Sequence, residues 1–199
     1  MSEIIDYREA DEKMLSRDEI VSELKNNLGP KRFEHSLRVE AESVILAKRY
    51  DADVEVCRMA GLLHDCARDF LPEEFYAIAQ SHPNAIPQDC TSIPILMHSY
   101  AGAVVAEEKY KIADERILNA IRLHTLGSAD MTSEDKIVCL ADYIEPGRSF
   151  HGVNLLREYA NKDLDFALLK AFDSTIRRLL STGRRINVRL VRARNSFLK

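Results

Sequence analysis

The sequence predicts an all-α protein folded as a single-domain helical bundle. Three observations carry that expectation. Apolar residues recur at three- and four-residue spacing along nearly the whole chain, as they do on one face of a helix. Helix-starting and helix-stopping residues punctuate those segments. No segment shows the strict alternation of a half-buried strand, and no internal repeat is present. With 199 residues, 46% of them apolar, the chain is long enough to fill one core.

The elements follow in order. Ser16 with Glu19 makes a capping box ahead of Ile20, Val21 and Leu24, and Gly29-Pro30 ends that helix. A long helix is predicted at roughly 31–50, with Phe33, Leu37, Ala41, Val44 and Ala47 as its apolar stripe. Asp53 caps the next, which carries VEVCRMAGLLHDCARD. Its face of Cys57, Ala60 and Gly61 is small enough for another helix to approach closely. Leu71-Pro72 opens a short helix over EEFYAIAQ, and residues 82–94, with three prolines, form a loop. Pro94 opens a helix through ILMHSYAGAVVAEEKY, and Asp114 caps ERILNAIRLHT. Thr132 with Asp135 caps SEDKIVCLADYIE, which Pro146-Gly147 stops. Two helices, about 152–160 and 163–181, make up the last third. Residues 1–15 are set apart as an N-terminal extension with no assigned role. Residues 16–199 form the domain with its basic C-terminal segment.

Composition narrows the function. No apolar stretch approaches the ~20 residues that span a bilayer, and the acidic start MSEIIDYREADEK lacks a signal core. The expectation is a cytoplasmic protein with no membrane partner. The four cysteines are scattered with no CxxC pair, which fits neither a disulfide framework nor a zinc ribbon. The net charge is −4, yet Ser174 to Lys199 holds eight Lys/Arg and no Asp/Glu, so the remainder carries about −12. An acidic whole with one basic end suits a small polyanion better than a nucleic-acid polymer. No Walker motif, GxGxxG or GxSxG occurs, which argues against ATP-driven, dinucleotide-cofactor and serine-nucleophile chemistry.

The stretch AGLLHDCARD, residues 60–69, places an imidazole and a carboxylate side by side at the end of an apolar run. A lone histidine there is most often a hydrogen-bonded boundary residue. His64 and Asp65 are not alone. His35 sits in RFEHSLRV, His98 in ILMHSYAG, His124 in AIRLHTLG and Asp142 in CLADYIEP, each in or at the end of an apolar helical segment. Titrating groups cost most in such places, and a cation removes the penalty for the carboxylates. The set suits iron, manganese or zinc.

His35, then His64-Asp65, then Asp142 resembles the H…HD…D signature of the HD-domain metal-dependent phosphohydrolases. More narrowly, RFEHSLRVE, AGLLHDCAR, MHSYAGAVVA, AIRLHTLG, MTSEDKIVCLADYIEPGRSFHGV and the closing VRARN resemble the YqeK-type HD proteins, over roughly residues 16–196. That resemblance implies a helical bundle with the metal site between helices. It implies an iron-carrying enzyme (Fe²⁺ or Fe³⁺, one ion or two, manganese or zinc as substitutes) that cuts diadenosine tetraphosphate symmetrically into two ADP. His35, His64, Asp65 and Asp142 would hold the first metal. His98 and His124 would hold a second metal or the phosphate chain, with Asp65 as bridge; these three are the expected catalytic residues. A metal lowers the pKa of its water, so that hydroxide can attack phosphorus.

Phosphoryl transfer also needs positive charge. The resemblance points to Arg32 and to the segment Asp65, Cys66, Ala67 and Arg68 for contacts to ADP. Arg32 and Arg68 each lie one turn from a metal-binding histidine. Arg184 and Arg185 are expected to cradle phosphate from the basic tail, and Thr125 and Gly127 to expose backbone N–H groups to it. The alternatives are another HD nucleotidase or phosphodiesterase, and a nucleotide-sensing module without turnover. A homodimer is compatible with the sequence.

Overall fold

The computed structural model of the protein describes residues 14–91 and 93–198. Among them are ten helices and no strand: α1 (Arg17–Asn27), α2 (Pro30–Arg49), α3 (Val54–Leu63), α4 (Pro72–Ser81), α5 (Pro94–Glu108), α6 (Glu115–Leu123), α7 (Ser133–Ile144), α8 (Val153–Ala160), α9 (Leu164–Ser181) and α10 (Val188–Ser196). Apart from Met14 and Leu15, the N-terminal extension lies outside the described residues. No helix among the described residues is long and apolar enough to cross a membrane.

The predicted starts hold in detail. Ser16 N–H donates to Glu19 Oε2 at 2.7 Å, and Thr132 N–H to Asp135 Oδ2 at 2.9 Å, each half of a capping box. One part of the core gathers Met97, Leu140 and Phe172 from α5, α7 and α9. The other gathers Leu24, Leu62 and Ile121 from α1, α3 and α6. Each such side chain contributes about 1.5–3 kcal/mol on burial. All four cysteines are buried and free.

The buried face of α2 is not the expected stripe. Ser36, Val39, Ser43, Leu46 and Ala47 face inward, whereas Ala41 is exposed and Phe33, Leu37 and Val44 are half-buried. The cause is Gly61 on α3. A Cβ at that position would stand 2.7 Å from Ser43 Oγ and 3.2 Å from Glu40 Cα. Small residues on both helices let α2 and α3 pack backbone to backbone, and close approach rather than apolarity selects the inward face. This crossing brings His35 and His64 within reach of each other.

The C-terminal end holds a helix that periodicity did not single out, α10. Asn187 caps it by accepting from Arg189 N–H at 2.8 Å, and Leu190 and Ala193 bury its inner face. Two of its three arginines are tied to the body: Arg189 Nε donates to Asp89 at 3.1 Å and Arg194 Nε to Asp173 at 2.7 Å.

Candidate metal centre

Four helix termini and one helix interior deliver the titrating residues to one place. The helix expected to run through the His64-Asp65 pair stops one residue before it. His64 Nδ1–H donates to the Gly61 carbonyl at 2.8 Å, the oxygen that Asp65 N–H would take if the helix continued. The chain goes on in tighter turns, with Cys66 N–H on Leu63 O at 3.0 Å and Arg68 N–H on Asp65 O at 2.9 Å. The same device ends α6, where His124 Nδ1–H donates to Ile121 O at 2.8 Å. In the first turn of α5, His98 Nδ1–H donates to Ile95 O at 2.7 Å. A carbonyl can only accept, so Nδ1 carries a proton in all three, which leaves Nε2 as the nitrogen that faces the centre.

Those Nε2 atoms converge on Asp65. Its Oδ1 lies 3.2 Å from His98 Nε2 and 3.8 Å from His124 Nε2. Its Oδ2 lies 3.6 Å from His64 Nε2 and 3.9 Å from His35 Nε2. Asp142, on the last turn of α7, brings Oδ1 to 3.0 Å from His35 Nε2 and 3.9 Å from His64 Nε2. One carboxylate thus faces a pair of imidazoles on each side.

The donor set fits a metal. His98 Nε2 and His124 Nε2 are 3.0 Å apart, and in neutral rings both carry lone pairs, as does Asp65 Oδ1 beside them. The two imidazoles share the Thr125 hydroxyl, 3.1 Å from His124 Nε2 and 3.3 Å from His98 Nε2, and Asp65 Oδ1 has the Arg68 guanidinium at 4.0 Å. A cation among them removes the repulsion. Burial pushes His64 down and His124 down to about 3, which keeps both in the neutral form that ligates. Burial alone would raise Asp65; holding it well below the usual carboxylate range takes positive charge where His64, His98 and His124 meet it, which a bound cation would supply. Against its own burial, Asp142 is likewise held low by His35 and Arg148. Nitrogen and carboxylate ligands in this mixture suit iron, manganese or zinc.

Several supporting residues were not anticipated. Glu145 is buried behind His35 and accepts from its Nδ1–H at 3.1 Å, from Arg38 Nε at 2.6 Å and from Gly147 N–H at 2.5 Å. Burial opposes the charge, yet Arg38 and the Gly147 N–H keep Glu145 below its ordinary value. A signal was available, since Glu145 lies one turn after Asp142. Arg148 donates to Asp142 Oδ1 through Nη2 and to the Asp142 carbonyl through Nε at 2.7 Å. Arg157 on α8 clamps this turn by donating to the carbonyls of Ile144, Glu145 and Arg148 at 2.8–3.0 Å.

A cleft of about 430 Å³ opens over the centre. Asp65, His98, His124, Thr125 and Asp142 line its base, and Arg32, Arg68, Arg148 and Arg178 its walls. Arg32 Nη1 donates to Asp65 Oδ2 at 2.7 Å. Other expected contacts are placed elsewhere. Cys66 and Ala67 are buried in the core, and burial lifts the Cys66 thiol to about 12. Arg184 and Arg185 are exposed in the turn after α9 and do not line the cleft, where Arg178 stands instead. The Gly127 N–H is taken by Leu123 O at 2.8 Å, so it is not open to phosphate. Gly127 has φ +65°, and a Cβ there would meet Phe172 at 2.7 Å, which accounts for the glycine structurally.

Comparison with known proteins gives a consistent picture. Residues 32–147 match the HD domain family. The chain is 33% identical over 162 residues to a protein of Bacillus subtilis (strain 168) named bis(5'-nucleosyl)-tetraphosphatase, symmetrical, covering 81% of this chain and 87% of that one. It is 38% identical over 138 residues to the protein of the same name from Staphylococcus aureus (strain NCTC 8325 / PS 47), covering 68% and 70%. A crystal structure described as a predicted HD superfamily hydrolase involved in NAD metabolism, from Clostridium acetobutylicum, superposes with a TM-score of 0.90 at 41% identity, over 94% of this chain and 98% of that one.

Proposed function

The chain belongs to the HD domain family, and we propose that it is a metal-dependent phosphohydrolase that cuts diadenosine tetraphosphate at its centre into two ADP. The observation that carries the metal-dependent chemistry is Asp65, whose two oxygens each face their own imidazole pair. The substrate rests on the names of the bacterial relatives, which share 33–38% of their residues with this chain over most of its length. His35, His64, Asp65 and Asp142 would hold one cation, and Asp65, His98 and His124 a second. Iron is the proposed metal, with manganese or zinc as substitutes. A divalent cation held there supplies Lewis acidity to the phosphates and an acidified water as nucleophile.

The protein's own residues supply the rest. Arg32, Arg68, Arg148 and Arg178 surround the cleft with four guanidiniums, a positive lining for phosphate oxygens. His98 and His124 keep Nε2 directed at the reacting end of the cleft, because the carbonyls of Ile95 and Ile121 hold their Nδ1 protons. Glu145 fixes the ring of His35 from behind. A cleft of about 430 Å³ is near the lower end of the range for small-ligand pockets. It suits one ADP half, which sets the central phosphorus at the metal ligands and makes the other ADP the leaving group.

Anaerobic metal stripping and reconstitution test the reading. Chelator-treated protein should lose turnover of diadenosine tetraphosphate and regain it with Fe²⁺. Asp65→Ala should neither retain iron nor turn over. Full activity after stripping, or normal iron content in Asp65→Ala, overturns the assignment.

A further inference from the structure

The catalytic cleft has a neighbour that the reaction as described does not use. A second cleft, of about 410 Å³, shares two lining residues with the first, Phe150 and Ser174. Those residues form the sill between the two. Helix α9 serves both sides: Arg178 lines the catalytic cleft, and Arg177, one residue earlier and about 100° round the helix, lines the neighbour. The second cleft also takes Lys170, about two helical turns before Arg177 on the same face of that helix.

We infer that this second cleft holds the distal nucleoside of the dinucleotide, the half that leaves as ADP. The inference rests on the substrate proposed above. Its first support is continuity, since a ligand bound at the metal ligands meets the second cleft by crossing one sill. The second is surface chemistry. Phe150 is 38% exposed and Leu155 48%, and both line this one concave place. Tyr159, packed edge-to-face with Phe166, lines the same cleft, and a planar base stacks well on such surfaces. The third is charge. Arg177 makes no hydrogen bond or ion pair among the described residues, and Lys170, which lies over the Phe166 ring at 5.0 Å from its centroid, approaches Asp173 no closer than 3.9 Å. Both cations are available to phosphate oxygens crossing the sill.

The catalytic cleft has another neighbour, on the opposite side, which shares Arg32 and Arg148 with it and includes Lys31 and Arg38. The lining of that groove includes no Phe, Tyr or Trp, its one ring, His35, is held by Glu145 at 3.1 Å, and Arg38 is already engaged by Glu145 at 2.6 Å. It offers charge without a surface for a base.

Charge reversal separates the cases. Arg177 and Lys170 lie on the outer side of α9, so Arg177→Glu and Lys170→Glu leave the core intact. Each variant should raise KM for diadenosine tetraphosphate roughly tenfold, the ratio carried by one charge-assisted hydrogen bond. ADP binding measured by calorimetry should not change, because one ADP fits the catalytic cleft alone. If the unaltered protein releases no ADP from diadenosine tetraphosphate, the proposed function fails and this inference falls with it. If it does release ADP, and both variants keep its KM, only the inference fails. A raised KM in Lys31→Glu with none in Arg177→Glu places the distal nucleoside in the opposite groove and overturns it as well.

Discussion

Replacing Gly61 by alanine tests whether the close crossing of α2 and α3 sets the metal centre. The new Cβ would stand 2.7 Å from Ser43 Oγ, 3.1 Å from Ser43 Cβ and 3.2 Å from Glu40 Cα. The hydroxyl can rotate away, but Ser43 Cβ and the Glu40 backbone can move only if α2 moves. Overpacking of this kind costs about 1–3 kcal/mol, while alanine in a helix interior regains about 1 kcal/mol over glycine. The net expectation is a loss of about 1 kcal/mol, or a Tm lower by about 2–4 °C in a protein of this size. The same movement separates His35 from His64, so iron should bind about tenfold more weakly, the scale of a disturbed supporting contact. Calorimetric melting of metal-free protein and competition titration with a chelator give the two numbers. Ser43→Ala removes the nearest atom, and Ser43 Oγ is buried without a hydrogen-bond partner among the described residues. Adding Ser43→Ala to Gly61→Ala should therefore recover part of both losses. A Gly61→Ala protein that melts higher than its parent and binds iron equally well refutes the reasoning.

Other perturbations probe separate parts of the account. Glu145→Gln removes one of three charge-assisted hydrogen bonds at a buried carboxylate, so stability should fall by about 1.5–3 kcal/mol and iron affinity by about 10–100-fold, read by urea unfolding and metal titration. His98→Ala or His124→Ala should keep iron at His35, His64 and Asp142 while losing most of the rate; loss of all iron in either variant would place both histidines in a single site. In metal-free protein, His64 and His124 are neutral when folded but titrate near 6.5 when unfolded. Below that value the unfolded chain binds protons that the folded one does not, so stability falls as pH falls, by up to about 1.4 kcal/mol per histidine per pH unit. For His124 the fall continues to about pH 3, where the folded form also protonates. A urea midpoint that stays constant from pH 7 to pH 5 contradicts this.

The titrating cluster was legible because each member lies where an apolar helical segment should end or continue. His35, His64, Asp65 and Asp142 needed no tertiary information. Their local geometry was not legible. Helical periodicity carries the chain straight through His64 and Asp65, and only the ring bond to the Gly61 carbonyl shows why the helix stops. On α2, apolarity pointed to Phe33 and Val44, whereas the close approach at Gly61 turned Ser36 and Ser43 inward. The arginines divide the same way. Arg32 and Arg68 sit beside ligands in sequence and reach the cleft. Arg148 and Arg178 arrive through the Pro146-Gly147 turn and through α9, at separations that no local pattern reports. The basic tail misdirected attention to Arg184 and Arg185, because composition does not say that Asp89 and Asp173 tie Arg189 and Arg194 to the body.

The position of the cut is the most direct test of the central claim. Diadenosine tetraphosphate incubated with anaerobically iron-loaded protein should give ADP as the sole initial nucleotide product by chromatography. In ¹⁸O-water, one labelled oxygen should appear for each substrate cleaved. Initial formation of AMP and ATP would show an off-centre cut and contradict the placement of the central phosphorus at the metal ligands. Failure to cleave diadenosine tetraphosphate, with ready dephosphorylation of a nucleoside monophosphate, would contradict the proposed substrate itself.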